Sequence, residues 1–268
     1  MPLAVRLSLL IQEGPSPGAF FVSEKILHGT TTAILVDGGF FLRRSRRIYG
    51  EQPPRELANI LHQCCLKHLC NRNGDRVAYL YRIFFYDCPP LTKKAHHPVT
   101  SKPIDFSKTS VAAWRFQFHE ELKRLRKVAL RLGALDEANA RWVLRERMLL
   151  SLCRGEIAAS GLSENDVEYE VKQKGVDMRI GLDIASLSYR KLVSQIVLIS
   201  GDSDFVPAAK LARREGIDFV LDPMWADIKS DLFEHIDGLR STCPRPAGAR
   251  SPSGKAHHGT TEMDTSDI

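Results

Sequence analysis

Aspartates that close apolar runs are the residues of this chain with the clearest chemical potential. The run "VLISGDSDF" (197–205) carries Asp202 and Asp204, with Ser200 and Ser203 beside them. "AILVDGGFF" (33–41) carries Asp37, and "KGVDMRIGLD" (174–183) carries Asp177 and Asp183. Carboxylates gathered without a Lys or Arg between them repel one another, and they hold protons more tightly unless a cation neutralises them. An all-oxygen donor set suits a hard divalent ion such as Mg2+ or Mn2+. Such an ion activates water and stabilises the charge that develops when a phosphodiester is displaced in line. Each acid also has a plain structural reading. Asp37-Gly38-Gly39 is a turn sequence, as is the surround of Asp202. Asp204 precedes "FVPAAKL" as a helix N-cap would, and Asp177 is a favourable charge near a helix start. Spacing alone leaves the two readings open.

The elements that would gather these acids are legible as alternating strands and helices. "TTAILVDGG" (31–39) reads as a buried parallel strand followed by a turn. "PPRELANILHQCCLKHLC" (53–70) opens on proline and has helical periodicity. "RVAYLYRIFFYDC" (76–88) is aromatic and β-branched, a strand that completes a βαβ unit. Further strands are expected at 167–173, 195–200 and 217–222, the last of these closing the set. Helices are expected from 175 to 190, 204 to 216 and 226 to 239. The pattern predicts a mostly parallel sheet of about five strands with helices on both faces. In such sheets functional groups collect beyond the carboxyl ends of the strands. Asp37, Asp202 and Asp204 fall there, and Asp177 falls in the first turn of the next helix. Asp183 lies six residues on, about 600° around a helix, so it does not share the face of Asp177 and ranks as a supporting residue.

The rest of the chain bounds the reading. It has 268 residues, a formal net charge of +6, 43% hydrophobic and 26% charged residues, which are globular values with a modest basic excess. The excess suits a polyanionic partner but does not require one. Six cysteines show no zinc spacing and read as reduced, mostly buried thiols in a cytoplasmic protein. The neighbouring His96 and His97 sit in a Pro- and Lys-rich loop and read as incidental. Residues 1–29 read as a poorly ordered tail whose Met1 need not be the natural start, and 243–268 as a disordered tail. No run is long enough to cross a bilayer. The domain proper is expected at 30–242, with an elaboration at about 89–160. Within it, "VAAWRFQFHEELKRLRKVALRLG" (111–133) reads as a basic amphipathic helix, and a second helix is expected over 136–154.

The runs "AILVDGGFFL" (33–42), "KQKGVDMRIGLDI" (172–184) and "VLISGDSDFVPAAKLARREGIDFVLDP" (197–223) resemble the NYN domain family of the PIN-like nuclease superfamily, and look like a bacterial-type member. The resemblance covers the core of roughly 30–240 but not the 89–160 segment in detail. It implies a PIN-like three-layer α/β/α sandwich and a Mg2+- or Mn2+-dependent ribonuclease. Asp37 matches the family's first-strand acid, Asp177 the acid of its K-G-x-D motif, and Asp202 and Asp204 the pair of its S-G-D-S-D motif. Phe40 departs from the pattern, since many members have Asn there. Ser200 and Ser203 are expected to shape the acid loop. Arg43, Arg44, Arg46 and Arg47 are expected to grip phosphate, and Lys174 is an equal candidate for phosphate contact or plain solvation. Lys123, Arg124, Arg126, Lys127 and Arg131 would extend the track, whereas Trp114, Phe116 and Phe118 read as core. RNA is the expected partner, no membrane is involved, and homo-oligomerisation is compatible with the sequence. The alternatives are a non-catalytic RNA-binding or regulatory module that keeps the fold, and a hydrolase of small phosphate esters.

Overall fold

The computed structural model describes residues 30–246. The tail expected at 1–29, and that at the C-terminus from 247 on, lie outside the described residues. The chain opens with β1 (Thr30–Asp37), α1 (Gly38–Tyr49), α2 (Pro54–Lys67) and β2 (Ala78–Asp87). A hairpin of β3 (Lys94–His96) and β4 (Pro103–Asp105) leads to α3 (Ser110–Arg124) and β5 (Val128–Leu132). Then come β6 (Ala134–Leu135), β7 (Arg141–Leu144), α4 (Glu146–Cys153), β8 (Val167–Glu170) and β9 (Gln173–Lys174). The last part comprises α5 (Val176–Tyr189), β10 (Gln195–Ile199), α6 (Val206–Arg214), β11 (Asp218–Asp222), α7 (Ser230–Phe233) and β12 (Gly238–Leu239).

The central sheet has six strands in the order β12-β11-β10-β1-β2-β5, and every pairing is parallel. Strand periodicity sorts the core into two faces. Ala33, Leu35, Phe84, Tyr86, Ile196 and Leu198 point to the face covered by α5 and α6. Ile34, Val36, Ile83, Phe85, Val197 and Ile199 point to the face covered by α1, α2 and α3. Burial on both faces explains why these strands are continuously apolar. The expected α/β/α sandwich is thus the observed fold.

Several local expectations are corrected. Residues 38–49 form a helix where a turn was expected, because the Asp37 side chain accepts from the Phe40 N–H at 3.0 Å and caps it. A Cβ at Gly38 would collide with the Tyr86 carbonyl, so glycine lets α1 start hard against β2. The expected helix 111–133 ends at Arg124. Lys127 turns with φ 63°, and "VALRL" pairs with β2 as an edge strand. Arg126, Lys127 and Arg131 therefore do not extend a helical track, and Lys123 and Arg124 are paired with Glu120 and Glu121. The region 136–154 holds β7 before the short α4. The strand 217–222 is followed by β12, and only four residues of 226–239 are α-helical. Cys243, placed at the start of a tail by the sequence, is buried against α2 and the Trp225 loop.

The segment after β5 makes a detour that returns to its origin. β6 pairs antiparallel with β9, and β7 with β8. Trp142 packs edge-on against His97 and Tyr169, and Phe106 stacks on Tyr169. His97 is buried there, its Nδ1 facing the Val99 and Thr100 N–H groups, so it is a packing residue. Gly133 lets the two legs of the detour meet, since a Cβ there would stand 2.7 Å from the Lys174 carbonyl.

Two carboxylates at the sheet's carboxyl edge are buried and bonded to basic side chains. Asp87, the last residue of β2, accepts from Arg115 Nη1 at 2.5 Å and lies 2.8 Å from His119 Nε2. Asp222, the last residue of β11, lies 2.9 Å from His68 Nε2 and accepts from the Met224 N–H at 2.8 Å. Removing one member of such a buried group strands the others. Asp87→Ala is expected to cost about 3–5 kcal/mol in urea unfolding. A loss of about 1 kcal/mol or less, as for an exposed pair, would contradict that role.

Candidate functional site

The connection from β1 leads to β2 on one side, and β10 leads to β11 on the other. The chain thus diverges between β1 and β10, which opens a crevice at their carboxyl ends. Asp37 ends β1, and Ser200 follows the last residue of β10. The Ser200 hydroxyl donates to Asp37 Oδ2 at 3.2 Å, while the Phe40 N–H holds Oδ1. The same Ser200 Oγ accepts from the Asp202 N–H at 3.3 Å. Asp202 in turn caps the 3-10 turn Ser203–Phe205 by accepting from the Asp204 N–H at 3.1 Å. The cap is thus Asp202 rather than Asp204, which leaves the Asp204 carboxylate exposed. Phe40 occupies the place where a polar residue was expected. A Cβ at Gly201 would lie 2.8 Å from its ring, so the ring rests directly on the backbone of the acid loop.

Asp177 reaches the crevice by a different route. α5 leads into β10, so its first turn stands at the same edge. The β6–β9 pairing fixes that start, and Gly175 turns the chain into the helix with φ 75°. The Asp177 carboxyl is raised above its ordinary value, first by partial burial and then by Asp37, Asp202 and Asp204. Asp37 is also raised, chiefly by burial; the Phe40 N–H, Ser200 and Arg43 pull it down, and Asp202 pushes it up. The acids from three distant segments therefore share one electrostatic environment. Among the described residues, none of Asp37, Asp177, Asp202 and Asp204 forms an ion pair with Lys or Arg.

As they stand, no three His, Cys, Asp or Glu side chains among the described residues are close enough to hold a metal ion together. The chemistry of the donors nevertheless fits a hard divalent cation, being all carboxylate oxygen with backbone and hydroxyl donors fixing Asp37 and Asp202.

The other expected residues divide. Asp183 accepts from the Tyr86 hydroxyl at 2.8 Å and pairs with Arg131 at 3.3 Å, a packing role on α5. Lys174 pairs with Asp136 at 2.8 Å and closes the base of the detour. Arg43, Arg44, Arg46 and Arg47 lie on α1 rather than in a crevice loop. Of these, Arg44 donates to the Met224 carbonyl and ties α1 to the loop after β11. Arg46 and Arg47 are exposed, and Arg43 is the member of the set in electrostatic reach of Asp37. The Ser203 hydroxyl accepts from Lys229 Nζ at 3.2 Å. Lys229 was not singled out from the sequence, where it is one charge in a helix-like stretch. Arg43 thus stands near Asp37, and Lys229 near the loop that carries Asp202 and Asp204.

Residues 105–231 match the family model of the NYN domain. The matched span contains Asp177, Asp202 and Asp204; Asp37 lies before it. Among solved structures, a protein of unknown function from Vibrio parahaemolyticus is similar at 14% identity and a TM-score of 0.40, over 79% of this chain and 92% of that one. No curated protein matches the chain. Among the described residues, no helix is long and apolar enough to cross a membrane.

The raised carboxyls have a consequence for stability. They hold protons more tightly in the folded chain than in the unfolded one, so they favour folding in acid. That contribution is lost as pH rises through the raised folded value. In metal-free buffer at about pH 7, Asp177→Asn is expected to raise Tm by a few degrees, and the gain should shrink as the buffer is acidified toward about pH 4. A Tm that is unchanged at neutral pH, or a gain independent of pH, would contradict the mutual repulsion.

Proposed function

We propose that this protein is a divalent-metal-dependent ribonuclease that hydrolyses RNA phosphodiester bonds in the cytoplasm. The observation that carries the reading is the contrast along one sheet edge. Asp87 and Asp222 are held by Arg115, His119 and His68, whereas Asp37, Asp177, Asp202 and Asp204 form no ion pair with Lys or Arg among the described residues, and the other three acids raise Asp177. The match of residues 105–231 to the NYN domain model supports it. The four acids would hold Mg2+ or Mn2+ directly or through water. When bound, that ion supplies an activated water and neutralises the charge developing on the phosphate. The protein's own part is placement. The Phe40 N–H and the Ser200 hydroxyl fix both oxygens of Asp37, and Ser200 couples Asp37 to the Asp202 loop. Arg43 and Lys229 draw the phosphate backbone over the acids.

Phe40 favours a second reading, an RNA-binding module without cleavage, because its ring covers loop backbone where a polar group would serve the site. Cleavage of labelled single-stranded and structured RNAs with Mn2+, Mg2+ or EDTA separates the two. The ribonuclease reading predicts cutting that EDTA abolishes. Asp202→Asn should reduce it by more than about 100-fold, beyond the loss typical of a supporting hydrogen-bond partner. RNA retained on a gel without metal-dependent cutting would establish the binding module instead.

A further inference from the structure

A groove of about 550 Å³ lies beside the acids but contains none of them. Leu42, Leu57, Val111 and Trp114 supply apolar walls, and Arg46 and Arg115 supply cations. Its position follows from the topology. α2 and α3 each lead into a strand parallel to β1, so both begin at the carboxyl edge. Leu57 lies in the first turn of α2, and Val111, Trp114 and Arg115 lie in the first two turns of α3. Leu42 and Arg46 belong to α1, whose N-cap is Asp37 itself. Arg115 donates to Asp87, which follows Tyr86, the residue paired with Asp37 across the sheet. The inner end of the groove is therefore one strand away from the candidate site.

Trp114 is a rigid part of this wall. Its indole N–H donates to the Gln52 carbonyl at 3.0 Å, and its ring stacks on Phe118 at 5.1 Å with an interplanar angle of 18°. Val111 stands at the groove with 73% of its surface exposed. Glu51 also lines the groove, 4.0 Å from Arg46, but both side chains are largely exposed and hold each other weakly.

We propose that this groove binds an unpaired nucleobase of an RNA strand whose backbone crosses the acids. The identity of the strand rests on the ribonuclease reading above. A flat aromatic ring suits apolar walls with a fixed indole among them, and the phosphates on either side of it suit Arg46 and Arg43. The volume is that of a small-molecule pocket. It has room for one base with its sugar, and a base stacked and paired within a duplex is not free to enter, so the site favours single-stranded over double-stranded RNA. The groove is thus a specificity element built on the same helix that Asp37 caps.

The test is equilibrium binding of the full chain to a short labelled single-stranded RNA in EDTA, repeated with one base removed at each position in turn. Loss of about 10-fold is expected at one or two adjacent positions, in the range for a base stacked on an aromatic side chain, with a flat response elsewhere. Val111→Glu, an exposed substitution that sets a carboxylate in the groove, should weaken the intact strand by a similar factor and flatten the scan. A flat scan with the unaltered protein would overturn the proposal. So would undiminished binding by Val111→Glu, equal affinity for a matched duplex, or no RNA binding at all. Because metal is withheld, the readout is independent of cutting. A positional base effect without cleavage in the metal assay rejects the nuclease reading and keeps the groove, and cleavage with a flat scan does the reverse.

Discussion

The parallel pairing of β1 with β10 is the constraint on which the candidate site depends. It sets Val36 beside Ile199 in the middle of the sheet, and so brings Asp37 and Ser200 together across 163 residues of sequence. Four further features follow from that register. Ser200 spans from Asp37 to the Asp202 N–H, Asp202 caps the turn that starts α6, the Phe40 ring seats on Gly201, and α5 must begin at the same edge because it feeds β10. A shift of one residue in this pairing would turn every inward side chain of β10 to the wrong face, so the core enforces the site's geometry.

The carboxyl edge carries acids along much of its width, and their partners divide it into regions. At β2 and β11 the acids are buried against histidine and arginine from α2 and α3, where they fasten helices to strands. At β1 and β10 the acids are met by N–H and hydroxyl donors and by one another. Donors of that kind fix the direction of a carboxylate without cancelling its charge. The protein thereby keeps a negative crevice at the centre of a chain that is positive overall, with Arg43 and Lys229 at its sides. Charges arranged this way attract a polyanion to the surroundings and repel it at the centre.

Four of the six sheet strands were legible because fully buried parallel strands are continuously apolar and turn residues end the run, whereas the strand expected at 167–173 pairs outside the central sheet. The same local signal could not separate Asp37 from Asp87 or Asp222. "LVDG", "FYDC" and "VLDP" look alike, and what distinguishes them is a histidine or arginine that folding brings from 28 to 154 residues away. Helix α1 was hidden by its opening Gly38-Gly39, which the contact with β2 demands. β5 was hidden inside a run whose apolar residues also fit a helical period, and its pairing with Ile83 to Asp87 decided the outcome. The placement of Asp177 rests on a two-residue ladder, β6 with β9, which is too short to leave a pattern in sequence. Trp114 was read as core, and its stacking on Phe118 bears that out, but the position of α3 also makes it a groove wall.

The central claim is the proposal that the four carboxylates without an ion-pair partner form one site that a divalent cation completes. Calorimetric titration of the protein with Mn2+ at fixed pH tests it directly. The account predicts saturable binding that is strongly weakened by Asp37→Asn and by Asp202→Asn, and unaffected by removing Asp183, which packs against Tyr86. Absence of saturable binding, or binding indifferent to Asp37 and Asp202, would contradict it.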